Sequence, residues 1–372
     1  MISDLLGRLK EWVKRRLIMP KIFVLYSGMT DITGPMIAEK LGADHGKNLP
    51  NLNRGDTVVA WGAKLQKGYN YDVLEPAIVI NHPLNVKLAS NKLEAIRKFK
   101  EAGVKTPPYF EVGSTGAEGV LSKLNQGDKH IRFPIIGRTK RHQGGTGFFL
   151  CIQPYDVKAA ISNGAQYFVN HIPIKEEFRL HIFDGKVIDA RKKIPQGNPV
   201  VNWVNEETEG IIEKIRRNTE GDGNFSKIKD VIKFTLEYIA DKAVELPDTK
   251  IRSNHRGWKF AAASNPPADL VTEARKAVKA LSLTFGAVDC IIGEDNKPYV
   301  IEVNTGPGIK SDGTLKAYVN AIKAYIKKEK SKKSQPSTKG GRKGAITMLE
   351  DLSDEEAEVL IKALTKLTGR KK

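Results

Sequence analysis

Residues 285–309 read FGAVDCIIGEDNKPYVIEVNTGPGI, and this stretch decides how the rest of the chain is interpreted. Two apolar runs, 286–292 and 298–303, flank a turn that is marked by Asp295 and Asn296. Such runs on either side of a short turn predict two strands that can pair antiparallel. The polar residues inside these strands are therefore the first candidates for a functional site.

Three polar side chains interrupt the two apolar runs: Asp289, Glu302 and Asn304. Glu302 and Asn304 are two residues apart and share a face of their strand, and antiparallel pairing brings Asp289 towards them. Two carboxylates and an amide oxygen suit Mg²⁺, which also takes phosphate oxygens. The alternative is an ordinary exposed strand face, but the apolar neighbours favour a half-buried site, where an isolated charge is costly. Cys290 falls on the opposite face and is predicted to lie in the core.

A basic, glycine-rich segment, RTKRHQGGTG at residues 138–147, lies between two further apolar strands that we predict at 135–139 and 147–152. Glycines let backbone N–H groups close on a polyphosphate, and the basic side chains would neutralise its charge. A hairpin connection without a ligand is the alternative. A second polar segment, KIRSNHRG at residues 250–257, suits phosphates or a carboxylate substrate, and an exposed basic loop is its alternative.

Composition restricts the class of protein. The chain has 372 residues, with 61 Lys and Arg against 43 Asp and Glu, for a net charge of +18. Much of this excess lies at residues 1–18 and 327–343, which is typical of solvated ends; nucleic-acid contact through them is the alternative. No apolar run is long enough to span a membrane, and two cysteines cannot form a disulfide framework. A cytoplasmic protein is therefore expected.

Strands and helices alternate along the first part of the chain, which indicates a small parallel α/β domain at residues 19–84. We predict strands at 21–26, 57–61 and 77–80 and a helix at 33–41, followed by one helix over 85–103. The predicted organisation is an amphipathic helix at 1–18, the α/β domain, a larger body at 85–330 with lobes 85–165 and 166–330 and an insertion at about 195–250, a flexible linker at 331–352, and a helix at 353–372.

The order of these motifs resembles the ATP-grasp superfamily, and within it the RimK-like carboxylate–amine ligases that include glutathione synthetase and ribosomal-protein glutamate ligase. AVDCII and VIEVNTGPGI resemble the two metal-binding strands, and IRSNHRGW resembles the Arg-Ser-Asn motif. AQYFVN at 165–170 resembles the strand whose backbone meets adenine, and Glu177 stands where the family has a ribose-binding acid. Arg138 stands where the family usually has lysine, and the stretch between Arg191 and Lys250 is longer than expected.

The resemblance implies an α/β ATP-grasp fold, in which a small parallel α/β domain precedes two subdomains that clamp ATP. It implies Mg²⁺ (or Mn²⁺) on Asp289, Glu302 and Asn304, and catalytic charge stabilisation by Arg138 and Arg252, with assistance from Arg179. The implied nucleotide-binding residues are Arg138, Gly144, Gly145, Gly147, Tyr167, Phe168, Val169, Glu177, Arg252, Ser253 and Asn254.

The implied reaction joins a carboxylate to an amine through an acylphosphate, with ATP as the phosphate donor and an acidic substrate favoured by the basic residues near the cleft. The amine acceptor is a small molecule, a peptide or a protein, and the acid is an amino acid such as glutamate. Two alternatives stay open: an inert ATP-grasp-like scaffold, and a basic nucleic-acid-binding protein. The terminal helices are candidates for contact with a second copy or another protein.

Overall fold

The computed structural model describes residues 20–27, 32–64, 70–125, 132–140, 147–195 and 258–334, together with Asp230. The chain divides into two units, Met1–Ala321 and Ile322–Lys372, and all three sheets belong to the first. The predicted terminal helices at 1–18 and 353–372, and nearly all of the insertion at 195–250, lie outside the described residues. Among the helices that are described, none is both long and apolar enough to cross a membrane.

The first sheet is parallel, as predicted, with the strand order β2-β1-β3-β4. Its strands are β1 (Ile22–Tyr26), β2 (Asp44–Gly46), β3 (Thr57–Trp61) and β4 (Ile78–Ile80). Helix α1 (Thr33–Leu41) follows β1 and has the predicted bounds. A single 3-10 turn, Tyr71–Leu74, precedes β4. Strand β2 was not predicted, because the sequence DHG is too short and too polar to show strand alternation.

Two helices follow this sheet where one was predicted over 85–103, so that prediction is wrong at its centre. Helix α2 (Pro83–Ser90) and helix α3 (Lys92–Glu101) are separated by Asn91, which has an extended backbone. The Asn91 side chain accepts a hydrogen bond from the Glu94 N–H and so begins α3 as its N-cap. Apolar periodicity continues through the break, which is why the sequence pattern indicated one helix. The sequence predicts Gly103 as the glycine that ends this helical segment, and Gly103 does have a left-handed backbone.

The second sheet is antiparallel and has the order β5-β8-β6-β7. It consists of β5 (Tyr109–Glu111), β6 (Ile135–Arg138), β7 (Phe148–Cys151) and β8 (Tyr167–Asn170). Helices α4 (Gly116–Asn125) and α5 (Pro154–Ser162) pack with it around a separate apolar core that includes Phe110, Val120 and Phe168.

The third sheet is antiparallel and carries the polar strands singled out above. Its order is β11-β10-β9-β12-β13, and its strands are β9 (Ile174–Phe183), β10 (Lys186–Pro195), β11 (Trp258–Ala262), β12 (Phe285–Gly293) and β13 (Pro298–Asn304). Helix α6 (Ala268–Ala280) precedes β12, and helix α7 (Asp312–Ser334) follows β13. The sequence pattern predicts this last helix at 314–327, so the observed helix is longer at both ends. The sequence pair Asp184 and Gly185 predicts a two-residue hairpin turn, and the structure confirms it, since the two residues have positive φ angles of 46° and 73°.

Side chains alternate across the third sheet, so that one face is apolar and the other is polar. Phe178, Leu180 and Ile182 of β9 are buried in the main core, to which Leu270 and Ala274 of α6 also belong. The intervening residues of β9, which are Glu177, Arg179 and His181, lie on the other side of the sheet. We refer to this second side as the polar face, and the candidate site lies on it.

The end of the first sheet is fixed against the start of β12. The buried Asn81 side chain accepts hydrogen bonds from the N–H groups of Thr284 and Phe285 and donates to the Phe285 carbonyl. The Gly62 N–H donates to the Thr305 carbonyl at 3.0 Å, and a Cβ added at Gly306 would lie 2.8 Å from the Gly62 Cα. This close approach requires glycine, and it joins β3 to the loop that follows β13.

An aromatic cluster covers the polar face where β12 begins. Trp61 of β3 stacks on Phe285 with ring centroids 5.0 Å apart, and Tyr318 of α7 meets both rings edge-on. The Tyr318 hydroxyl lies 3.0 Å from Nδ1 of the buried His181. Aromatic packing therefore covers the polar residues at this end of the sheet.

The stability of the fold should fall on acidification because of His181. Burial lowers the pKa of its imidazole to about 4 from the ordinary 6.5. Between pH 6.5 and pH 4 the ring is therefore neutral in the folded protein and protonated in the unfolded chain. The stabilisation is complete above pH 6.5 and decreases towards pH 4 by about 1.4 kcal/mol per pH unit. The free energy of unfolding, measured with urea across this pH range, should depend less steeply on pH for His181→Gln than for the parent protein. The exposed His45→Gln variant should keep the parent slope, and equal slopes for the parent and His181→Gln would contradict this prediction.

Candidate functional site

The strand register places four charged residues in one row across the polar face. Arg191 of β10 lies opposite Arg179 of β9, Arg179 lies opposite Asp289 of β12, and Asp289 lies opposite Glu302 of β13. Residues directly opposite each other in antiparallel strands project to the same face. The antiparallel pairing predicted for β12 and β13 is thus confirmed, and the row continues across two further strands.

The three predicted metal ligands are in mutual contact. The Asn304 side-chain amide donates to Asp289 Oδ2 at 3.1 Å and to Glu302 Oε1 at 3.0 Å. Arg179 holds Asp289 in a two-pronged ion pair, with Nε–Oδ1 at 2.6 Å and Nη2–Oδ2 at 2.8 Å. Burial alone would lower the pKa of Arg179, but the charge and hydrogen bonds of Asp289 raise it above its usual range. The site is thus a compact set of opposite charges.

Lys92 is a site residue that the sequence analysis missed. Its ammonium group forms an ion pair with Glu302, although the two residues are 210 positions apart. Lys92 is the first residue of α3, where a positive charge is unfavourable beside the positive end of the helix dipole. That unfavourable placement is the signal that could have pointed to a partner elsewhere.

The pKa of Glu302 reflects this surrounding charge. Burial of the carboxyl group would raise its pKa, but the ion pair with Lys92, the Asn304 hydrogen bond and the charge of Arg138 together lower it. Glu302 is therefore a carboxylate at neutral pH, and it can accept further cationic or hydrogen-bonding partners.

A cavity of about 250 Å³ opens between the second and third sheets beside this set. One part of its wall is apolar and includes Ile136, Val169, Ile172, Ile174, Ile291 and Val300. The other part carries Lys92, Arg138, Glu177 and Glu302. A flat apolar ring fits the first part, and an anion held by cations fits the second. Asn170, the last residue of the AQYFVN segment, also lines it, as does His171, which the sequence analysis did not identify.

Some of the predicted nucleotide-binding residues within the described part of the chain line the cavity, and one does not. Arg138, Tyr167, Val169 and Glu177 line the cavity. The side chain of Phe168 points to the opposite side of its strand and stacks on Phe110 with ring centroids 5.4 Å apart, so only its backbone faces the cavity region. Residues Gly144, Gly145, Arg252, Ser253 and Asn254 lie outside the described residues, and their predicted roles stay predictions.

Glu177 and Arg138 are each fixed by neighbours. Lys193 donates to Glu177 Oε1 at 2.7 Å across β9 and β10. The Arg138 guanidinium lies 5.6 Å from the centroid of the Phe148 ring and hydrogen-bonds the Tyr167 hydroxyl. Both side chains are thereby oriented before any ligand arrives.

Gly147, at the start of β7, should resist substitution for two separate reasons. Its φ angle is +63°, and an added Cβ would overlap Oγ1 of Thr139. Gly147→Ala should destabilise the protein by about 2 kcal/mol and weaken nucleotide binding through the displaced 138–147 segment. Gly164→Ala is the matched control, since Gly164 has a φ of +90° with nothing within 4 Å, and it should cost only about 1 kcal/mol. Denaturant unfolding and calorimetric nucleotide titration measure both effects; equal costs would refute the steric argument.

The donor set fits Mg²⁺ on chemical grounds. The Asn304 amide lies within hydrogen-bond distance of both carboxylates, at 3.1 Å from Asp289 and 3.0 Å from Glu302, and these three residues could supply oxygen ligands. In the described part of the chain no cluster of three His, Cys, Asp or Glu side chains competes as a metal site. Both cysteines, Cys151 and Cys290, are free and buried.

Comparison with known proteins identifies the fold. D-alanyl-alanine synthetase A from Vibrio cholerae is 12% identical, with a TM-score of 0.52 over 84% of this chain and 98% of that one. The RimK domain ATP-grasp protein from Sphaerobacter thermophilus gives 12% and 0.51 over 82% and 98%. The ATP-grasp ligase PsnB, solved with the precursor peptide PsnA2 and AMPPNP, gives 12% and 0.50 over 82% and 97%.

Sequence comparison agrees with the structural one. The D-alanine–D-alanine ligase of Vesicomyosocius okutanii subsp. Calyptogena okutanii is 29% identical over 103 residues, which are 24% of this chain and 35% of that ligase. The chain thus matches about a third of that relative's length. No family model matches the chain. The chain has the mixed α/β fold of the ATP-grasp proteins, as the sequence predicted.

Proposed function

We propose that this protein is an ATP-dependent carboxylate–amine ligase. The observation that carries the proposal is the continuity between the apolar cavity and the charged row of the polar face. An adenine ring in the apolar part would direct its phosphates towards Lys92, Arg138 and the carboxylates of Asp289 and Glu302. The ligase names of the related proteins support the same activity.

In the proposed reaction, a carboxylate oxygen of the acid attacks the γ-phosphorus of ATP, and ADP leaves. The amine then attacks the acyl carbon of the resulting acylphosphate, phosphate leaves, and the amine loses a proton as the amide forms. The protein acts by positioning and by neutralising charge. Arg138, Arg179 and Arg252 would stabilise the charge on the transferring group in this proposal.

Asp289, Glu302 and Asn304 would hold the metal, which would supply positive charge to neutralise the phosphates. Glu177 would accept hydrogen bonds from the ribose, and the backbone of Tyr167–Asn170 would meet the adenine edge. The remaining nucleotide contacts in the proposal come from Gly144, Gly145, Gly147, Ser253 and Asn254.

The finer assignments concern the substrates and the location. An amino acid such as glutamate is the proposed acid, and a small molecule, a peptide or a protein is the proposed amine acceptor. The peptide bound to PsnB supports such an acceptor. A cytoplasmic location completes the proposal and rests on two free, buried cysteines.

The test is a screen of amino-acid and peptide pairs for ATP-dependent release of ADP and phosphate, with mass spectrometry of the products. We expect one class of pair to stimulate phosphate release and to yield an amide whose mass is the sum of both substrates less one water. Tight binding of AMPPNP with Mg²⁺ should be measurable by calorimetry even before the pair is found. A protein that binds no nucleotide in the presence of Mg²⁺ would disprove the proposal.

A further inference from the structure

Phe260 is an aromatic residue on the polar face that has no part in the nucleotide and metal assignments above. It lies in β11 directly opposite Lys193 of β10, and opposite residues of antiparallel strands project to the same face. Around it this face carries charged side chains, which include those of Lys193 and Arg179. A partly buried aromatic ring among charged groups needs a reason.

The Phe260 ring lies against two cations. The guanidinium carbon of Arg179 is 4.7 Å from the ring centroid, and the ammonium nitrogen of Lys193 is 5.2 Å from it. Both distances fall within the ~6 Å over which the face of an aromatic ring attracts a cation. Arg179 and Lys193 belong to the neighbouring strands β9 and β10, so one ring contacts cations of two strands.

Each of these two cations holds a carboxylate of the proposed nucleotide and metal site. Arg179 forms the two-pronged ion pair with Asp289, and Lys193 donates to Glu177 at 2.7 Å. The side chains of Lys193 and Glu177 are only 11% and 15% exposed, so this ion pair is largely shielded from water, as the first one is. Because a ring attracts a desolvated cation more strongly, the contacts of Phe260 are strengthened in this setting.

An aromatic ring suits this position better than either a charged or an aliphatic side chain. The ring attracts cations but takes none of their conventional hydrogen bonds, so the N–H groups of Arg179 and Lys193 stay directed at their carboxylates. A carboxylate at position 260 would compete for the same N–H groups, and an aliphatic side chain would attract neither cation. The ring also restricts two long side chains that otherwise have many rotamers.

Building on the proposed function, we propose that Phe260 is a positioning residue for the nucleotide and metal site. Its ring fixes the direction of Arg179 and Lys193. Through Arg179 it sets the position of the Asp289 carboxylate for the metal, and through Lys193 it sets that of the Glu177 carboxylate for the ribose. The alternative is that the ring only covers the sheet by apolar packing, and the experiment separates the two roles.

The first measurement detects the contact between Phe260 and Arg179 in the protein without nucleotide. In a proton–nitrogen correlation spectrum of the arginine Nε–H groups, a proton that lies over an aromatic ring is shifted upfield by the ring current. The resonance that is lost in Arg179→Lys belongs to Arg179. We expect it upfield of the ordinary arginine range in the parent protein and in Phe260→Tyr, and within that range in Phe260→Leu.

The second measurement is a calorimetric titration with AMPPNP in the presence of Mg²⁺. Phe260→Leu keeps an apolar side chain and removes the ring, so it should weaken AMPPNP binding about tenfold. Phe260→Tyr keeps the ring and should bind AMPPNP within about twofold of the parent protein. Tyr325→Leu is the matched control, because it removes a ring that lies 5.9 Å from the Lys328 ammonium within α7, and it should keep the parent affinity.

The melting temperature of each variant shows whether it is folded. Phe260→Met is a second apolar replacement, which should behave like Phe260→Leu and takes its place if the leucine variant does not fold. A ring that acts only by packing predicts that the folded apolar variants bind AMPPNP as the parent protein does, or that Phe260→Tyr weakens binding as much as they do.

Either of those results, or an Arg179 resonance within the ordinary range in the parent protein, would overturn the inference. Failure of the parent protein to bind AMPPNP would instead count against the proposed function. The Arg179 resonance in the parent protein and in Phe260→Leu would then decide alone whether the ring orients this side chain.

Discussion

Asp289→Asn is expected to lower metal-dependent turnover of ATP by about a thousandfold, because the change removes one of the carboxylate charges that would hold Mg²⁺ against the phosphates. The amide can still accept from Arg179, so the fold should persist. The measurements are ADP release with an active substrate pair and the Mg²⁺ dependence of AMPPNP binding by calorimetry. Both should lose their metal dependence together.

The matched control for this change is Asp295→Asn on the turn between β12 and β13. Asp295 accepts from the Tyr299 hydroxyl at 2.7 Å and from the Lys297 N–H at 3.1 Å, and it lies outside the row of the polar face. Asp295→Asn should leave turnover and metal dependence near the parent values. Retention of parent-level turnover by Asp289→Asn would show that the metal assignment is wrong.

Arg179→Met is expected to destabilise the protein by about 2–4 kcal/mol, the second large effect. The side chains of Arg179 and Asp289 are only 23% and 14% exposed, so the change leaves a carboxylate largely buried without its strongest partner. Turnover should fall as well, since Arg179 is proposed to stabilise the transferring group. Urea unfolding measures the first effect and ADP release the second.

A double-mutant cycle separates the ion pair from the loss of packing. Arg179→Met combined with Asp289→Asn should recover part of the lost stability, because no unpaired charge then remains, with a coupling energy of about 1–3 kcal/mol. Turnover should not recover in the double variant. Strictly additive stability losses would mean that the two side chains do not stabilise each other.

The parts of the site that the sequence predicted are those with a local pattern. Asp289, Glu302 and Asn304 lie on two strands joined by one short turn, so alternation and antiparallel pairing suffice to bring them together. The turn at Asp184 and Gly185 is similarly local. The chemistry of each residue type and its spacing in the chain carry these predictions.

The parts that the sequence did not predict depend on contacts between distant segments. Lys92 meets Glu302 across 210 positions, and Arg191 meets Thr314 across 123, so neither pair leaves a periodic signal. The helix break at Asn91 was missed because an N-cap inside a continuous apolar pattern changes only one backbone conformation. The direction of Phe168 depends on the face of β8 that packs on α5, which alternation alone does not specify.

The contact between Gly62 and Gly306 bears on how this protein can diverge and be recombined. Because neither position has room for a side chain, a mutation at either one is tolerated only if the partner segment moves, and the two positions should therefore change together in descendants. A chimera that exchanges the first parallel sheet for that of another protein with this fold would need a matching loop after β13. Exchange of both segments as one piece is the practical route to a hybrid that keeps this close approach.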